Sequence, residues 1–259
     1  MDLVLYIVAG ASVGFLVGLT GVGGGSLMTP LLLLFGFPPH IAIGTDLMYA
    51  AITKTGGVFA HARNHTINWK LVGLLAMGSL PASVATLWIL AEFFSEPEKY
   101  NHLLTSSLGF MLILTSAVLL FKNKLAIKRR SGFEKQSFIA KNRRQVTVIM
   151  GIVLGVFVTL SSVGAGAIGT AVLMILYPAL LASRVVGTDL AHAVPLTFIA
   201  GLGHMQLGHV DYYLLGSLLI GSLPAIHLGS KLSKYMPPNL LRPVLASMLM
   251  IIGVKYAFF

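Results

Sequence analysis

Two aspartates, Asp46 and Asp189, each follow a threonine inside a long apolar stretch, and each has one further ionisable neighbour there, Lys54 and His192 respectively. A carboxylate in such surroundings is suited to taking up and releasing protons, and near a helix start it also serves as a cap. His192 lies three residues beyond Asp189, on the same face of a helix, where it is either a proton relay or a buried structural histidine. Lys54 lies two helical turns beyond Asp46. The residue in the corresponding place of the second half of the chain is Thr197, so one positive charge has no counterpart. Such asymmetry suggests contact with a substrate, the competing readings being a lysine that snorkels to an interface or neutralises an aspartate.

Two glycine-rich breaks offer a second kind of chemistry, Gly21-Val22-Gly23-Gly24-Gly25-Ser26 and Ser162-Val163-Gly164-Ala165-Gly166-Ala167. A helix that restarts at Gly24 or Gly25 presents unpaired amides and the positive end of its dipole, an anion site that needs no cationic side chain. Ser26, Ser161 and Ser162 add hydroxyl donors. Close helix packing through small residues is the alternative use of these glycines. The motif is no nucleotide fingerprint, because the third glycine of G-x-G-x-x-G, a preceding strand and a Walker lysine are all missing.

The elements that must position these groups follow from composition. Of 259 residues, 56% are apolar and 10% charged, and the mean hydropathy is +0.87. A soluble domain carries about 25% charged residues, so this chain belongs in lipid. It has no cysteine, which excludes thiolate chemistry and disulfides. Apolar segments run at roughly 3–19, 26–35, 41–60, 71–91 and 103–121, then 146–160, 167–181, 185–203, 212–228 and 240–258. The second of each set is too short to cross a bilayer, which takes about 20 helical residues. The first segment begins Met1-Asp2 without a cationic stretch and reads as a retained helix.

The two sets read as copies. Gly44-Thr45-Asp46-Leu47 returns as Gly187-Thr188-Asp189-Leu190 and Gly78-Ser79-Leu80-Pro81 as Gly221-Ser222-Leu223-Pro224, both 143 positions on, while the breaks repeat 141 positions on. The expected division is a first membrane repeat over 1–121, a basic cytoplasmic loop over 122–145 and a second repeat over 146–259. Nine of the eighteen Lys and Arg residues fall between Lys122 and Arg144, which places that loop inside. Counting spans from it sets His61–Lys70, Arg184 and Lys231–Arg242 inside, and Glu92, Glu96 and Glu98 outside. Each half then has an odd number of crossings and the copies are inverted. The expected fold is thus an all-α polytopic bundle of two inverted repeats, with eight to ten membrane segments, some broken or half-length.

Other candidates read as structural. His61 and His65 have metal-like spacing but no carboxylate between them, and they fit an interfacial loop, as do His204 and His209 at the opposite face. Trp69, Trp88, Tyr212 and Tyr213 fit aromatic belts. No cofactor, metal ligand set or nucleic-acid surface is read from the chain.

In the order of its motifs the chain resembles the sulfite exporter family, TauE/SafE, small permeases of two similar halves. The resemblance covers nearly the whole chain and rests on Gly21–Ser26, Gly44–Leu47, the polar turn Asn64–Trp69, Gly78–Pro81 and their copies. It implies secondary transport, in a bacterial inner membrane, of sulfite, organosulfur anions or small carboxylates, driven by an ion gradient. Many relatives carry Ser or Asn after the Gly-Thr pair, where this chain has Asp46 and Asp189. The expected substrate contacts are Gly23, Gly24, Gly25, Ser26, Thr45, Lys54, Ser162, Gly164, Gly166 and Thr188, with Asp46, Asp189 and His192 coupling movement to protons. The expected partners are a small anion, membrane lipid and a second copy of the chain. A membrane-embedded enzyme and a structural or assembly subunit are the alternatives. The first would need clustered catalytic groups and the second would have no use for intramembrane charge.

Overall fold

The computed structural model describes residues 2–20, 27–93, 97–128, 142–232 and 238–258, and every regular element among them is a helix. In chain order these are α1 (Asp2–Thr20), α2 (Met28–Leu34), α3 (Pro39–Arg63), α4 (Trp69–Phe93), α5 (Pro97–Lys128), α6 (Arg143–Ser161), α7 (Ala167–Leu176), α8 (Ala182–Gln206), α9 (Tyr212–Leu232) and α10 (Pro238–Phe258). Among the described residues, α4, α5, α6, α8 and α9 are long and apolar enough to cross a bilayer. α3 matches α4 and α8 at 25 residues, but Asp46, Lys54, His61 and Arg63 dilute its apolar character. α2 and α7, with 7 and 10 residues, cannot cross alone. α7 stops five residues before the boundary expected at Leu181, because Pro178 restricts Tyr177 to a non-helical conformation (φ −126°, ψ 66°).

The surface of the bundle is largely apolar, and its apolar core encloses polar and charged groups. Phe59, Trp69, Met77, Val84, Trp88, Ile149, Ile220 and Ile251 are exposed, whereas Thr29, Asp46, Lys54, Ser79, Ser162, Asp189 and His192 are buried. That distribution is untenable in water and natural in hydrocarbon, where side chains such as Ile251 meet lipid at no cost. Trp69, Trp88, Tyr212 and Tyr213 sit exposed near helix ends, as an aromatic belt requires.

Glycine decides how the helices meet. α1 lies along α9 so closely that a Cβ on Gly10 would strike the Leu218 carbonyl, one on Gly14 the Ser222 backbone and one on Gly221 the Ile7 carbonyl. α6 lies along α4 in the same way, Gly151 against Leu75, Gly155 against Ser79 and Gly78 against Val148. Adding 141 to each α1 residue and subtracting 143 from each α9 residue turns the first set into the second (10 to 151, 218 to 75). Without a hydrophobic driving force between helices in lipid, such backbone approach supplies the dispersion contacts that hold a pair together.

α3 and α8 run antiparallel through the interior. Gly44 abuts His209, Met48 abuts Gly201, Leu190 reaches Gly57 and His61 abuts Gly187. α5 and α10 are antiparallel too, with Gly109 against Ala257, Gly253 against Ile113, and the Ser116 hydroxyl donating to the Ala246 carbonyl at 2.7 Å.

Candidate functional site

The break between α6 and α7 is left-handed at three of its residues, Ser162 (φ +59°), Gly164 (φ +115°) and Gly166 (φ +133°). Glycine tolerates this at the last two; Ser162 takes the single-residue αL position that commonly ends a helix. Ser161 ties the bend, its hydroxyl donating to the Phe157 carbonyl at 2.6 Å and accepting from the Val163 amide at 3.2 Å. Two amides of the restarting helix, those of Ile168 and Gly169, already donate to the Gly164 carbonyl, each at 3.2 Å. The equivalent break, with Gly23, Gly24, Gly25 and Ser26, lies outside the described residues, between the end of α1 at Thr20 and the start of α2 at Met28.

Both aspartates address these short helices rather than the starts of their own. Asp46 Oδ2 accepts from the Thr29 amide at 3.2 Å and from the Thr29 hydroxyl, in the first turn of α2. The Asp189 carboxylate lies against Gly169, in the first turn of α7, so tightly that a Cβ on that glycine would overlap Oδ1. A carboxylate there meets the positive end of the helix dipole.

Lys54 completes the cluster. Its Nζ donates to the Ala165 carbonyl at 3.1 Å, inside the second break, and the ammonium interacts electrostatically with both Asp189 and Asp46. His192 is a further neighbour of Lys54, with Nε2 2.8 Å from the Ser79 hydroxyl. One repeat length away, Tyr49 stands where His192 stands and faces Ser222 as His192 faces Ser79 (49 + 143 = 192, 79 + 143 = 222). Asp46, Lys54, Asp189 and His192 are 0, 4, 1 and 0% exposed, so the cluster is closed to solvent. Asp46 Oδ1, the hydroxyls of Ser162, Tyr49 and Ser222, and His192 Nδ1 are buried without a hydrogen bond of regular geometry among the described residues, although Ser162 faces Asp46 and Ser222 faces Tyr49. Burying one such group costs about 1–3 kcal/mol, which makes several around a helix break a strong pointer to a polar guest.

Thr45 and Thr188 point elsewhere. Thr45 Oγ1 accepts from the Asp211 amide at 3.1 Å and Thr188 Oγ1 from the Asn68 amide at 3.0 Å, pinning the corners that precede α9 and α4. The structure therefore gathers Asp46, Lys54, Ser162, Asp189 and His192 and gives the threonines a hydrogen-bonding task at the corners. Sequence reasoning missed Thr29, Tyr49, Ser79 and Ser222. The two serines stand inside the repeated Gly-Ser-Leu-Pro, which marks the repeat but does not reveal that its hydroxyl faces the centre.

His204 and His209, expected in an interfacial loop, are buried. The Thr159 carbonyl can only accept, so His204 donates to it from Nε2 at 2.9 Å. His204 Nδ1 must then accept from His209 Nδ1 at 3.0 Å, and His209 Nε2 from the Tyr100 hydroxyl at 2.7 Å. Burial, then His204 and His40, push the His209 imidazole down to about 3. The equivalent corner in the first half holds His61 Nδ1 2.7 Å from the Thr66 hydroxyl. Among the described residues no three His, Cys, Asp or Glu side chains are grouped to hold a metal ion.

A family model described as Sulfite exporter TauE/SafE matches residues 6–256. The "Probable membrane transporter protein YjnA" of Bacillus subtilis (strain 168) is 41% identical over 249 residues, covering 96% of this chain and 97% of that protein. The "Probable membrane transporter protein YdhB" of the same organism is 29% identical over 92% of this chain and 96% of its own. The "Probable membrane transporter protein MJ0441" of Methanocaldococcus jannaschii is 27% identical over 96% of this chain and 93% of its own. No solved structure matches the chain.

Proposed function

Since the chain belongs to the sulfite exporter TauE/SafE family and is a multi-pass membrane transporter, we propose that its cargo is a small anion, sulfite, an organosulfur compound or a small carboxylate, moved by alternating access in step with protons. The relatives are named as transporters, which sets aside the enzyme alternative, and a scaffold has no need of the central charges.

The observation that carries the reading is the closed Asp46–Lys54–Asp189 cluster at the second break, ringed by buried polar groups. Two carboxylates and one ammonium sum to −1 (−1 −1 +1). An anion entering that space would raise the deficit to −2, and in low dielectric this is prohibitive. A proton on each aspartate brings the sum to zero with the anion bound, so cargo and protons must share one occluded state. In this reading Lys54 balances the anion, Ser162 and the backbone of Gly164 and Gly166 hold it together with Gly23, Gly24, Gly25 and Ser26, and His192 passes protons to Asp189. Thr45 and Thr188 act by holding the corners next to the aspartates.

The same proposal has the two halves, 1–121 and 146–259, as inverted copies. The antiparallel course of α3 against α8 and of α5 against α10 supports it, because equivalent helices of parallel copies would point the same way. With no native cysteine, cysteines placed at Asn64 and Glu92 should react with an impermeant thiol reagent from the inside and the outside respectively; labelling of both from one side would reject the inversion.

Proteoliposomes loaded with radiolabelled sulfite, an organosulfonate or a small carboxylate test the transport reading. At least one anion should accumulate or discharge with an imposed pH gradient. Flux of none across such a panel, with correctly folded protein, rejects the cargo class, and flux indifferent to the gradient rejects the coupling.

A further inference from the structure

A cavity of about 720 Å³ opens where α4 and α6 begin, and its lining includes Lys70, Arg143, Arg144, Asn68, Leu71 and Tyr177. Three cations face it and no acid lines it. None of the three is in an ion pair among the described residues, which leave their positive charge uncompensated. Its floor is different: Leu71 and Leu74 are apolar, and Tyr177 offers a ring whose hydroxyl is already engaged with Thr147 at 2.8 Å.

The location narrows the occupant. Trp69, exposed beside Lys70, marks headgroup depth, and the faces of α4 and α6 that lead away from the cavity carry the lipid-exposed Met77, Val84, Ile149 and Ile152. Sulfite or phosphate would fill a small part of 720 Å³ and leave Leu71 and Leu74 against water. A molecule with an anionic phosphodiester, a polar headgroup and the first methylenes of an acyl chain meets the cations, the amides and the leucines at once. We propose that this cavity is a binding site for an anionic glycerophospholipid, with Lys70, Arg143 and Arg144 taking the phosphodiester and Leu71 and Leu74 the glycerol end of the chains. The charge selects the lipid and the depth of the cavity retains it. Occupancy would fasten the start of α4 to the start of α6 at the membrane surface.

Native mass spectrometry of the full-length protein in detergent tests this, with phosphatidylglycerol and phosphatidylcholine of matched acyl chains as probes. Phosphatidylglycerol should be retained preferentially, and each of K70Q, R143Q and R144Q should weaken its retention roughly fivefold, with larger loss in the triple variant. K231Q, which removes an exposed cation outside the cavity, should leave retention unchanged. Equal retention of the two lipids overturns the proposal, as does a triple variant that melts like the unmodified protein yet holds phosphatidylglycerol as well. The single variants keep the test decisive should the triple variant fail to fold. Displacement of bound phosphatidylglycerol by inorganic phosphate or sulfite would assign the cavity to a soluble anion and equally overturn it.

Discussion

The corner before α4 and the corner before α9 are built alike and furnished differently. At both, a threonine one residue ahead of an aspartate accepts a backbone amide, Thr188 from Asn68 and Thr45 from Asp211, at 3.0 and 3.1 Å. At both, a glycine of the facing helix lies against the residue that ends the turn, Gly187 against Thr66 and Gly44 against His209. Yet His61 meets a threonine hydroxyl, while His204 meets His209 and through it Tyr100. The centre repeats this lesson. Three backbone contacts of α1 on α9 are matched by three of α6 on α4, but Tyr49 answers to His192, and Lys54 answers to Thr197. Scaffold contacts and the two aspartates are duplicated, whereas Lys54, His192 and His209 each stand in one half only.

Erasing the largest difference should have the largest effect. K54T gives the first half the residue of the second and leaves two buried carboxylates without their cation, a loss of about 3–5 kcal/mol. Proteoliposome flux should fall at least roughly 100-fold, and adding D189N should recover part of the stability; unchanged flux in K54T would remove Lys54 from the site. A matched pair of substitutions comes next. G10L and G151L each push a side chain into a facing backbone, costing about 1–3 kcal/mol or more, and thermal denaturation in detergent should rank them equal. A gap between them would show that the two helix pairs are not equivalent.

T45V and T188V are milder, each losing one hydrogen bond worth about 1 kcal/mol. Their melting shifts should match, and T45V should slow flux no more than T188V does. A further expected effect concerns acid. His209 is held below its ordinary value of 6.5 to about 3, so the unfolded chain binds the proton that the folded one refuses, and stability contributed by the neutral ring falls as pH drops from 6.5 toward 3. H209Q should flatten that part of the pH–stability curve; identical curves for H209Q and the unmodified protein would refute it.

The all-helical membrane class was legible from composition alone, and so was the second break, because Gly164 and Gly166 occupy backbone conformations that side chains resist. The contacts of the site were not. Lys54 reaches Ala165, 111 residues away, and nothing in either local sequence encodes that meeting; it follows from how α3 lies across the end of α6. The aspartates looked like caps of their own helices because capping is usually local, whereas the partners, Thr29 and Gly169, belong to the short helices before them. His209 read as a surface loop residue because turns usually face solvent. Tyr100, 109 residues away, and the nearby His204 close over it.

Where α1 rests on α9, and α4 on α6, main chain touches main chain with no side chain between to act as a bearing. Neither pair can slip by a fraction of a turn without oxygen meeting carbon, so each behaves as a solid plate. Both plates take one helix from each half of the chain, and a motion that swung the first half of the sequence against the second would tear both apart. In the proposed alternating access, opening toward either face would instead turn plate against plate. The crossed shaft of α3 and α8 carries Asp46, Lys54, Asp189 and His192, which would ride the pivot while the walls move around them.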